Sequence, residues 1–174
     1  MGSIAGAARR PGEDDDMRKI HPFLWFDGQA HEAAELYVSL FPNSKIGKVT
    51  RYPPGSPGGM DGQVMTVEFE LDGQQFTALN GGPHFKFTEA VSFVIDCEDQ
   101  AEVDRYWEGL IADGGSPSQC AWLKDRFGVS WQVVPKALPR LMSDPDPAKA
   151  GRVVQAMLKM SKIIVADLEA AHAG

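Results

Sequence analysis

Two stretches of the chain, HPFLWFDGQAHEAAELYVSLF (residues 21–41) and VSFVIDCEDQAEVDRYWEGLI (residues 91–111), follow the same order of apolar residues. Each begins with an apolar run typical of a buried strand and continues with apolar residues at helical spacing. An offset of 70 residues places Phe23 on Phe93 and carries this match through the helical part. The predicted elements are strands at 20–26 and 91–96 and helices at 29–41 and 99–111. The chain therefore contains an internal repeat of pattern rather than of identity.

Further strands extend the first copy of the repeat. Residues 45–52 and 74–80 are predicted strands, and residues 65–71 (MTVEFEL) alternate cleanly between apolar and polar. Asp72-Gly73 between the last two strands predicts a hairpin turn, because both residues tolerate the positive φ angles of such turns. The first module is therefore predicted to have the order βαβββ.

The second copy continues in a similar way. Strands are predicted at 119–124 and 129–134, joined by a tight Asp-Arg-Phe-Gly turn in which Asp125 caps backbone amides. Residues 113–118 (DGGSPS) are predicted to form a loop, which leaves the second module one strand short. Asp144-Pro-Asp-Pro147 predicts the start of a helix in a helical C-terminal part.

The fold class is thus α+β, with tandem βαβββ-like modules in one domain. Residues 17–174 form that domain, and its predicted parts are module one (19–82), module two (88–136) and C-terminal helices (137–174). Residues 1–16 have no apolar periodicity and are predicted to be a disordered extension or a remnant of cloning, with Met17 as the natural start.

Composition excludes several classes of protein. The formal net charge of −7 argues against nucleic-acid binding. Two cysteines do not make a secreted disulfide framework, so a cytoplasmic, reducing location is expected. No apolar run is long enough to span a bilayer.

Several long motifs resemble the PhnB-like branch of the vicinal oxygen chelate superfamily, which includes glyoxalases, bleomycin-resistance proteins and ring-cleaving dioxygenases. The motifs include KIHPFLWFDGQAHEAAELY, FTALNGGPHFKF, CAWLKDRFGVSWQVVP and DPDPAKAGRVVQAMLKM. The resemblance covers residues 17–174. It implies that each module curls its sheet into a concave cup, usually completed by a homodimer.

The PhnB-like branch carries the label "3-demethylubiquinone-9 3-methyltransferase domain". A methyltransferase of the Rossmann type needs a glycine-rich turn between a strand and a helix to hold its methyl donor. Gly81-Gly82 is instead followed by a loop and a strand. The residues therefore do not support methyl transfer, which stays one of the alternative functions.

The resemblance also implies where a metal would be held. Metal-dependent members of the superfamily place four ligands on facing strands, and these positions correspond to His21, Ala78, Ala90 or Val91, and Gln132. Two of the four are apolar, whereas a catalytic metal needs about three protein ligands. No metal or other cofactor is therefore predicted, with a divalent metal as the alternative, in which His84 is recruited to the site.

Alternation along the predicted strands selects the side chains that line the cup. An aromatic surface with a few polar groups suits a small-molecule ligand. The predicted ligand-binding residues are His21, Phe23, Trp25, Phe76, Asn80, His84, Cys120, Trp122, Ser130 and Gln132. For each aromatic residue the alternative is a place in the core, for His84 a loop position, and for Cys120 an inert buried thiol.

The leading function is small-molecule binding, or metal-independent chemistry, in the cup of a homodimer. Three alternatives stay open. They are a metal-dependent lyase, isomerase or dioxygenase using His21, a sequestering protein without chemistry, and a ubiquinone-biosynthesis methyltransferase. Whether the protein is an enzyme is left open by the sequence.

Overall fold

The computed structural model of the protein describes residues 19–174, so the predicted N-terminal extension lies outside the described residues. The elements in chain order are β1 (Phe23–Phe26), α1 (Ala30–Leu40), β2 (Lys45–Arg51), β3 (Val64–Leu71), β4 (Gln74–Asn80), β5 (Phe93–Cys97), α2 (Gln100–Ile111), β6 (Ser116–Pro117), β7 (Trp122–Lys124), β8 (Ser130–Pro135), α3 (Ala137–Met142), α4 (Pro147–Met157) and α5 (Val165–Ala173). Between residues 19 and 174, no helix is long and apolar enough to cross a membrane.

The strands form two four-stranded sheets of the same topology, in the orders β1-β4-β3-β2 and β5-β8-β7-β6. In each sheet the first strand pairs parallel with the fourth, and the other pairings are antiparallel. The predicted α+β fold with tandem βαβββ modules is confirmed. The 70-residue offset is confirmed as well, since β1 and β5 start at Phe23 and Phe93 and α1 and α2 start at Ala30 and Gln100.

The prediction that the second module lacks a strand is wrong. Ser116 and Pro117 form β6, which pairs with Lys124 and Leu123 of β7. Two residues are too few to show an alternating pattern, and proline is tolerated there because β6 is an edge strand.

The first strand of each module is buried on one face only, where the sequence suggested full burial. Leu24 and Ile95 are each 7% exposed, whereas Phe23 is 57% exposed and Val94 is 56% exposed. Both sheets therefore have an apolar inner face and a second face that also carries large apolar side chains.

The inner faces of the two sheets belong to one hydrophobic core that also includes α1 and α2. Tyr37 of α1 has its ring centroid 6.1 Å from that of Phe69 in the first sheet and 5.2 Å from that of Trp131 in the second. Phe41, at the end of α1, stacks on Tyr106 of α2 with a centroid distance of 4.9 Å. Both inner faces therefore meet the same core, and the outer face of each sheet lies on the side opposite to that core.

Asp125 joins the modules by hydrogen bonds. Its carboxylate accepts hydrogen bonds from the Tyr37 hydroxyl (2.7 Å), from Trp131 Nε1 (2.9 Å) and from the amides of Phe127 (2.9 Å) and Val129 (3.0 Å). The predicted capping of backbone amides by Asp125 is confirmed. The contact with Tyr37 adds a link between α1 of module one and the β7–β8 turn of module two.

The three C-terminal helices form a second, smaller apolar cluster. Asp146 caps α4 by accepting a hydrogen bond from the Ala148 amide at 2.9 Å, which confirms the predicted helix start. The segment after α4 is attached to the second sheet, because the amides of Cys120 and Ala121 donate to the carbonyls of Met160 (2.8 Å) and Ser161 (2.9 Å).

Candidate functional site

The outer face of the first sheet, called face A here, is set by the register of β1 against β4. Phe23 lies beside Thr77 and Trp25 lies beside Leu79 in this parallel pair. Leu24 alternates to the other side and is buried in the core. Face A therefore carries Phe23, Trp25, Thr77 and Leu79.

The prediction that Phe76 and Asn80 share the cup with His21 is wrong. Phe76 is 6% exposed and lies in the shared core, where it stacks on Phe69 with a centroid distance of 5.1 Å. Strand alternation gives the two faces of β4 but not the register against β1, and the register brings Thr77 to the side of His21. The position of each strand in the sequence was predicted correctly, and the error lies in which face of β4 was assigned to the cup.

Asn80 has a structural role instead. Its Oδ1 accepts a hydrogen bond from the Ala30 amide at 2.8 Å, and its Nδ2 donates to the Val64 carbonyl at 3.0 Å. The preceding residue, Gln29, makes no side-chain capping bond to α1. The side-chain amide of Asn80, on β4, thus caps the start of α1. Without this contact the first N–H groups of the helix would have one partner fewer.

Face A carries polar pairs that sequence periodicity did not identify. His21 Nε2 lies 3.3 Å from the Thr77 hydroxyl. Glu70 accepts a hydrogen bond from Gln75 Nε2 at 2.7 Å and lies 3.4 Å from Lys45 Nζ. The sequence could have indicated these residues only through the alternation of β3. Their cross-strand partners depend on the register between strands, which the sequence alone does not give.

The outer face of the second sheet, called face B here, carries Trp122, Lys124, Ser130 and Gln132. Trp122 lies opposite Gln132 and Lys124 opposite Ser130 in the β7–β8 pair. Gln132 Nε2 also donates a hydrogen bond to the Ser92 hydroxyl at 2.9 Å. The structure therefore brings three of the predicted ligand-binding residues, Trp122, Ser130 and Gln132, to one face.

Cys120 does not lie on face B, and its predicted place beside Trp122 is wrong. It precedes β7 with φ of 55°, and its Sγ lies 3.8 Å from the Met157 carbonyl oxygen. Strand alternation would place Cys120 on the same face as Trp122. The left-handed backbone of Cys120 and Ala121 breaks that alternation. Cys97 is fully buried, and burial first of all raises the pKa of its thiol to about 12, so it stays protonated at neutral pH.

The connection between the modules, residues 81–92, passes from face A towards face B. Gly82 has φ of 86°, and its carbonyl accepts a hydrogen bond from Trp25 Nε1 at 2.8 Å. The ring of Phe85 meets that of Trp25 edge-on at 4.9 Å. His84 is exposed and does not line the adjacent cleft of about 270 Å³, to which Trp25 and Phe85 contribute.

The donor set of the two faces does not fit a catalytic metal. His21 is beside Thr77 on face A, and Gln132 is beside Ser92 on face B. Ala78 is buried in the core, so the superfamily position assigned to it falls on the wrong side of β4. Within residues 19–174 no group of three or more His, Cys, Asp and Glu side chains is placed to hold a metal ion. The Glu70 carboxylate of face A pairs with Lys45 and Gln75, and His21 with neutral hydroxyl and amide groups falls short of the three ligands that such sites use.

Comparisons with known proteins agree with this architecture. The family model described as 3-demethylubiquinone-9 3-methyltransferase matches residues 18–134. A PhnB protein from Bacillus cereus, which carries the same methyltransferase name, is 35% identical, with coverage of 68% of this chain and 99% of that chain and a TM-score of 0.62. A search of curated proteins found no match.

Two more distant solved structures were also found. A protein from Pseudomonas aeruginosa is 22% identical over 67% of this chain and 96% of its own, with a TM-score of 0.56, and shows the same fold. A glyoxalase/bleomycin resistance protein from Albidiferax ferrireducens is 13% identical over 67% of this chain and 97% of its own, with a TM-score of 0.45.

The family match runs through both modules and ends inside β8. The Bacillus cereus protein aligns over nearly its whole length. The chain therefore belongs to the PhnB-like family described as 3-demethylubiquinone-9 3-methyltransferase.

Proposed function

We propose that the protein binds a small molecule in a concave cup built from faces A and B, without a catalytic metal. The observation that supports this most is the combination of exposed apolar and polar side chains on both faces. Phe23 and Val94 are each more than half exposed, beside the polar pairs of His21 with Thr77 and Gln132 with Ser92. Apolar area with a few placed polar groups is typical of ligand pockets.

The cup requires two copies of the chain. The inner faces of both sheets enclose one core, so faces A and B of one chain lie on its outside, where Trp25 and Lys124 line one cleft. A closed cup therefore forms when face A of one chain meets face B of a second chain. Exposed apolar patches of this kind are common at protein interfaces. We propose a homodimer in which each cup contains one face from each chain.

Charged substitutions on the two faces test this arrangement. Phe23→Glu and Val94→Glu place a carboxylate on face A and face B, and each is expected to convert a dimer into monomers with an unchanged far-ultraviolet spectrum. Leu158→Glu is the matched control, because Leu158 is 49% exposed on the C-terminal helices and belongs to neither face. Light scattering after size exclusion gives the mass. A monomeric wild-type protein, or dimers in both variants, would contradict the proposal.

Methyl transfer is the second candidate, supported by the name that the family model carries. Within residues 19–174 no parallel strand leads through a glycine-rich turn into a helix, which is the usual cradle for S-adenosylmethionine. We expect no thermal stabilisation by S-adenosylmethionine. A saturable rise in melting temperature would favour methyl transfer over the metal-independent binding proposed here.

A cytoplasmic location is part of the same proposal. Both cysteines of the chain are free thiols in the described residues. Free thiols are usual in reducing compartments, whereas secreted domains of this size more often pair their cysteines. Localisation of a tagged full-length chain tests this directly, and export from the cytoplasm would contradict it.

A further inference from the structure

A small cavity lies on face B, apart from the apolar part of the proposed cup. Its volume is about 170 Å³, and its lining combines polar side chains with apolar ones. The lining includes Glu89, Ser116, Ser118, Trp122, Lys124 and Ser130. Pockets for drug-sized ligands start at roughly 300 Å³, so this cavity suits one polar group of a ligand rather than a whole molecule.

Ser130 gives this cavity an unused hydrogen-bonding group. The residue is 2% exposed, and its Oγ has no hydrogen-bond partner among residues 19–174. Proteins keep few such buried groups, because a hydroxyl removed from water without a partner destabilises the fold. Because Ser130 lines the cavity, a ligand atom there is placed to accept a hydrogen bond from its hydroxyl.

Lys124 gives the same cavity a positive charge. It lies opposite Ser130 in the β7–β8 pair, and its Nζ forms an ion pair with Glu89 of the inter-module connection. The Glu89 side chain is 63% exposed, and the Lys124 side chain is 38% exposed. The hydrogen bond from Lys124 lowers the pKa of Glu89, which keeps this carboxyl ionised. The lysine of the cavity therefore already holds an oxyanion that belongs to the chain itself.

We propose that the cavity binds an oxyanion group of the cup ligand, either phosphate or carboxylate, and that Glu89 occupies its place on Lys124 when no ligand is bound. The proposal rests on the proposed function, because Ser130 and Lys124 belong to face B. Lys124 supplies a charge-assisted hydrogen bond, and Ser130 supplies a second donor. Glu89 can leave at low cost, because it is mostly exposed and regains water when it releases Lys124.

Three probes share a phenyl ring and differ in the polar group that it carries. They are phenyl phosphate, benzoate and the uncharged benzyl alcohol. Titration of each into the full chain, at constant ionic strength, is followed by calorimetry. We expect at least one of the two anions to bind tenfold or more tightly than the alcohol. The better anion distinguishes phosphate from carboxylate as the preferred group.

Four variants locate the binding of that anion. Lys124→Gln and Ser130→Ala are expected to weaken it at least tenfold and severalfold, respectively, while binding of the alcohol is unchanged. Glu89→Gln is expected to strengthen it severalfold, because the competing carboxylate is gone. Arg140→Gln is the matched control on the C-terminal helices, where Arg140 pairs with Glu169 outside both faces, and should change nothing. Near-ultraviolet circular dichroism checks that each variant is folded.

The possible failures can be told apart. If the alcohol binds as tightly as both anions, the oxyanion site is wrong and the small-molecule cup stands. Weaker anion binding in the Glu89→Gln variant would also overturn the exchange of Glu89 for ligand. If none of the three probes binds while the protein is folded and dimeric, both the oxyanion site and the proposed cup are contradicted.

Discussion

Asp125 is a buried carboxylate, 3% exposed, that accepts hydrogen bonds from two side chains and two backbone amides. Its replacement leaves all of these donors buried without an acceptor. We expect Asp125→Ala to lower the free energy of unfolding by roughly 3 kcal/mol or more. Urea unfolding measures this change.

Asp113 offers a matched control for that measurement. Its carboxylate lies 3.0 Å from Arg126 but its side chain is 79% exposed. Asp113→Asn should therefore cost less than about 1 kcal/mol, because exposed ion pairs contribute little and asparagine also tolerates the left-handed backbone (φ of 56°) at this position. Equal losses in the two variants would show that Asp125 does not hold the modules together.

Gly81 is required by the close approach of Trp25. A Cβ atom built on Gly81 would lie 2.2 Å from Cζ2 of the Trp25 ring, well inside contact distance. We expect Gly81→Ala to lower the free energy of unfolding by about 1–3 kcal/mol, as overpacking does. Combining it with Trp25→Leu should recover part of the loss, which thermal unfolding of the double variant would measure.

Gly151, inside α4, is the opposite case. Nothing lies within 4 Å of the Cβ that a substitution would add, and the residue is helical. Gly151→Ala should therefore stabilise the protein by about 0.5–1 kcal/mol, since alanine favours a helix. A loss of stability in Gly151→Ala equal to that in Gly81→Ala would mean that contact with Trp25 is not the cause.

At the residue scale, sequence could assign side chains to alternate faces but could not decide which face meets the core. Alternation grouped Phe23 with Trp25 and Ser130 with Gln132, and each of these pairs does share one face of its sheet. Asn80 was misplaced because its cap on α1 depends on a contact between residues 50 positions apart in the chain. The role of Gly81 was likewise hidden, since the distance to Trp25 exists only after folding.

Helix α5 packs through Leu168 into the apolar cluster of the C-terminal helices, and polar contacts join it to them as well. His172 Nε2 lies 2.7 Å from an Asp144 carboxylate oxygen, and Arg152 donates to the carbonyls of Ala171 and His172 at 2.8 Å each. The hydrogen bond from the Asp146 amide, followed by the one from His172, lowers the pKa of Asp144. The charge of the Asp144 carboxylate therefore contributes to the attachment of α5.

The lowered pKa of Asp144 predicts how this attachment responds to acid. A carboxyl with a folded pKa below its unfolded value stabilises the fold above the unfolded pKa of about 3.9. That stabilisation is lost as the pH falls through the lower, folded pKa. We expect Asp144→Asn to unfold at lower urea than wild type at pH 7, with the difference shrinking as the pH falls through the folded pKa of Asp144.

Asp167, on α5 itself, provides the control of equal charge for this pH series. Asp167→Asn removes the same charge but should unfold closer to wild type at pH 7 than Asp144→Asn does, because none of the described hydrogen bonds or ion pairs involves the carboxylate of Asp167, which lies in the first turn of α5. A difference between Asp144→Asn and wild type that stays constant down to the lowest pH would contradict the role of the Asp144 charge.

At the element scale, strong local signals succeeded and weak ones failed. Asp72 and Gly73 have φ angles of 44° and 78°, as the predicted hairpin turn requires. The two-residue strand β6 was missed because its pairing comes from β7 and not from its own residues. Elements that are stabilised mainly by their neighbours leave little trace in local sequence.

The absence of a metal is a prediction about the whole molecule, because candidate ligands would have to come from both faces. Incubation with EDTA should leave the melting temperature and the binding of benzyl alcohol unchanged, since one imidazole with hydroxyl and amide groups makes a poor metal site. Elemental analysis of the purified protein gives the independent measure. About one Zn, Mn, Fe or Ni per chain would contradict the prediction and favour the metal-dependent alternative.

The paired-module architecture could be predicted from repeat and motif, but the orientation of the modules could not. Alternation in β1 and β5 shows that each strand has two faces. It does not show that the inner faces of both sheets share a single core through Tyr37 and Phe41. The contacts between modules join residues that are far apart in sequence. A pattern within a short stretch of sequence therefore cannot predict them.

The connection between the modules has a practical consequence. Each sheet contains its own fourth strand, no strand lies within residues 81–92, and Lys86 in this connection is exposed. The modules are joined instead by the shared core and by Asp125. The peptide link thus acts chiefly by keeping the halves at high effective concentration. If the chain is divided after Lys86 and produced as two fragments, the fragments should associate into the native fold. The protein could then serve as a split reporter of the proximity of two fusion partners.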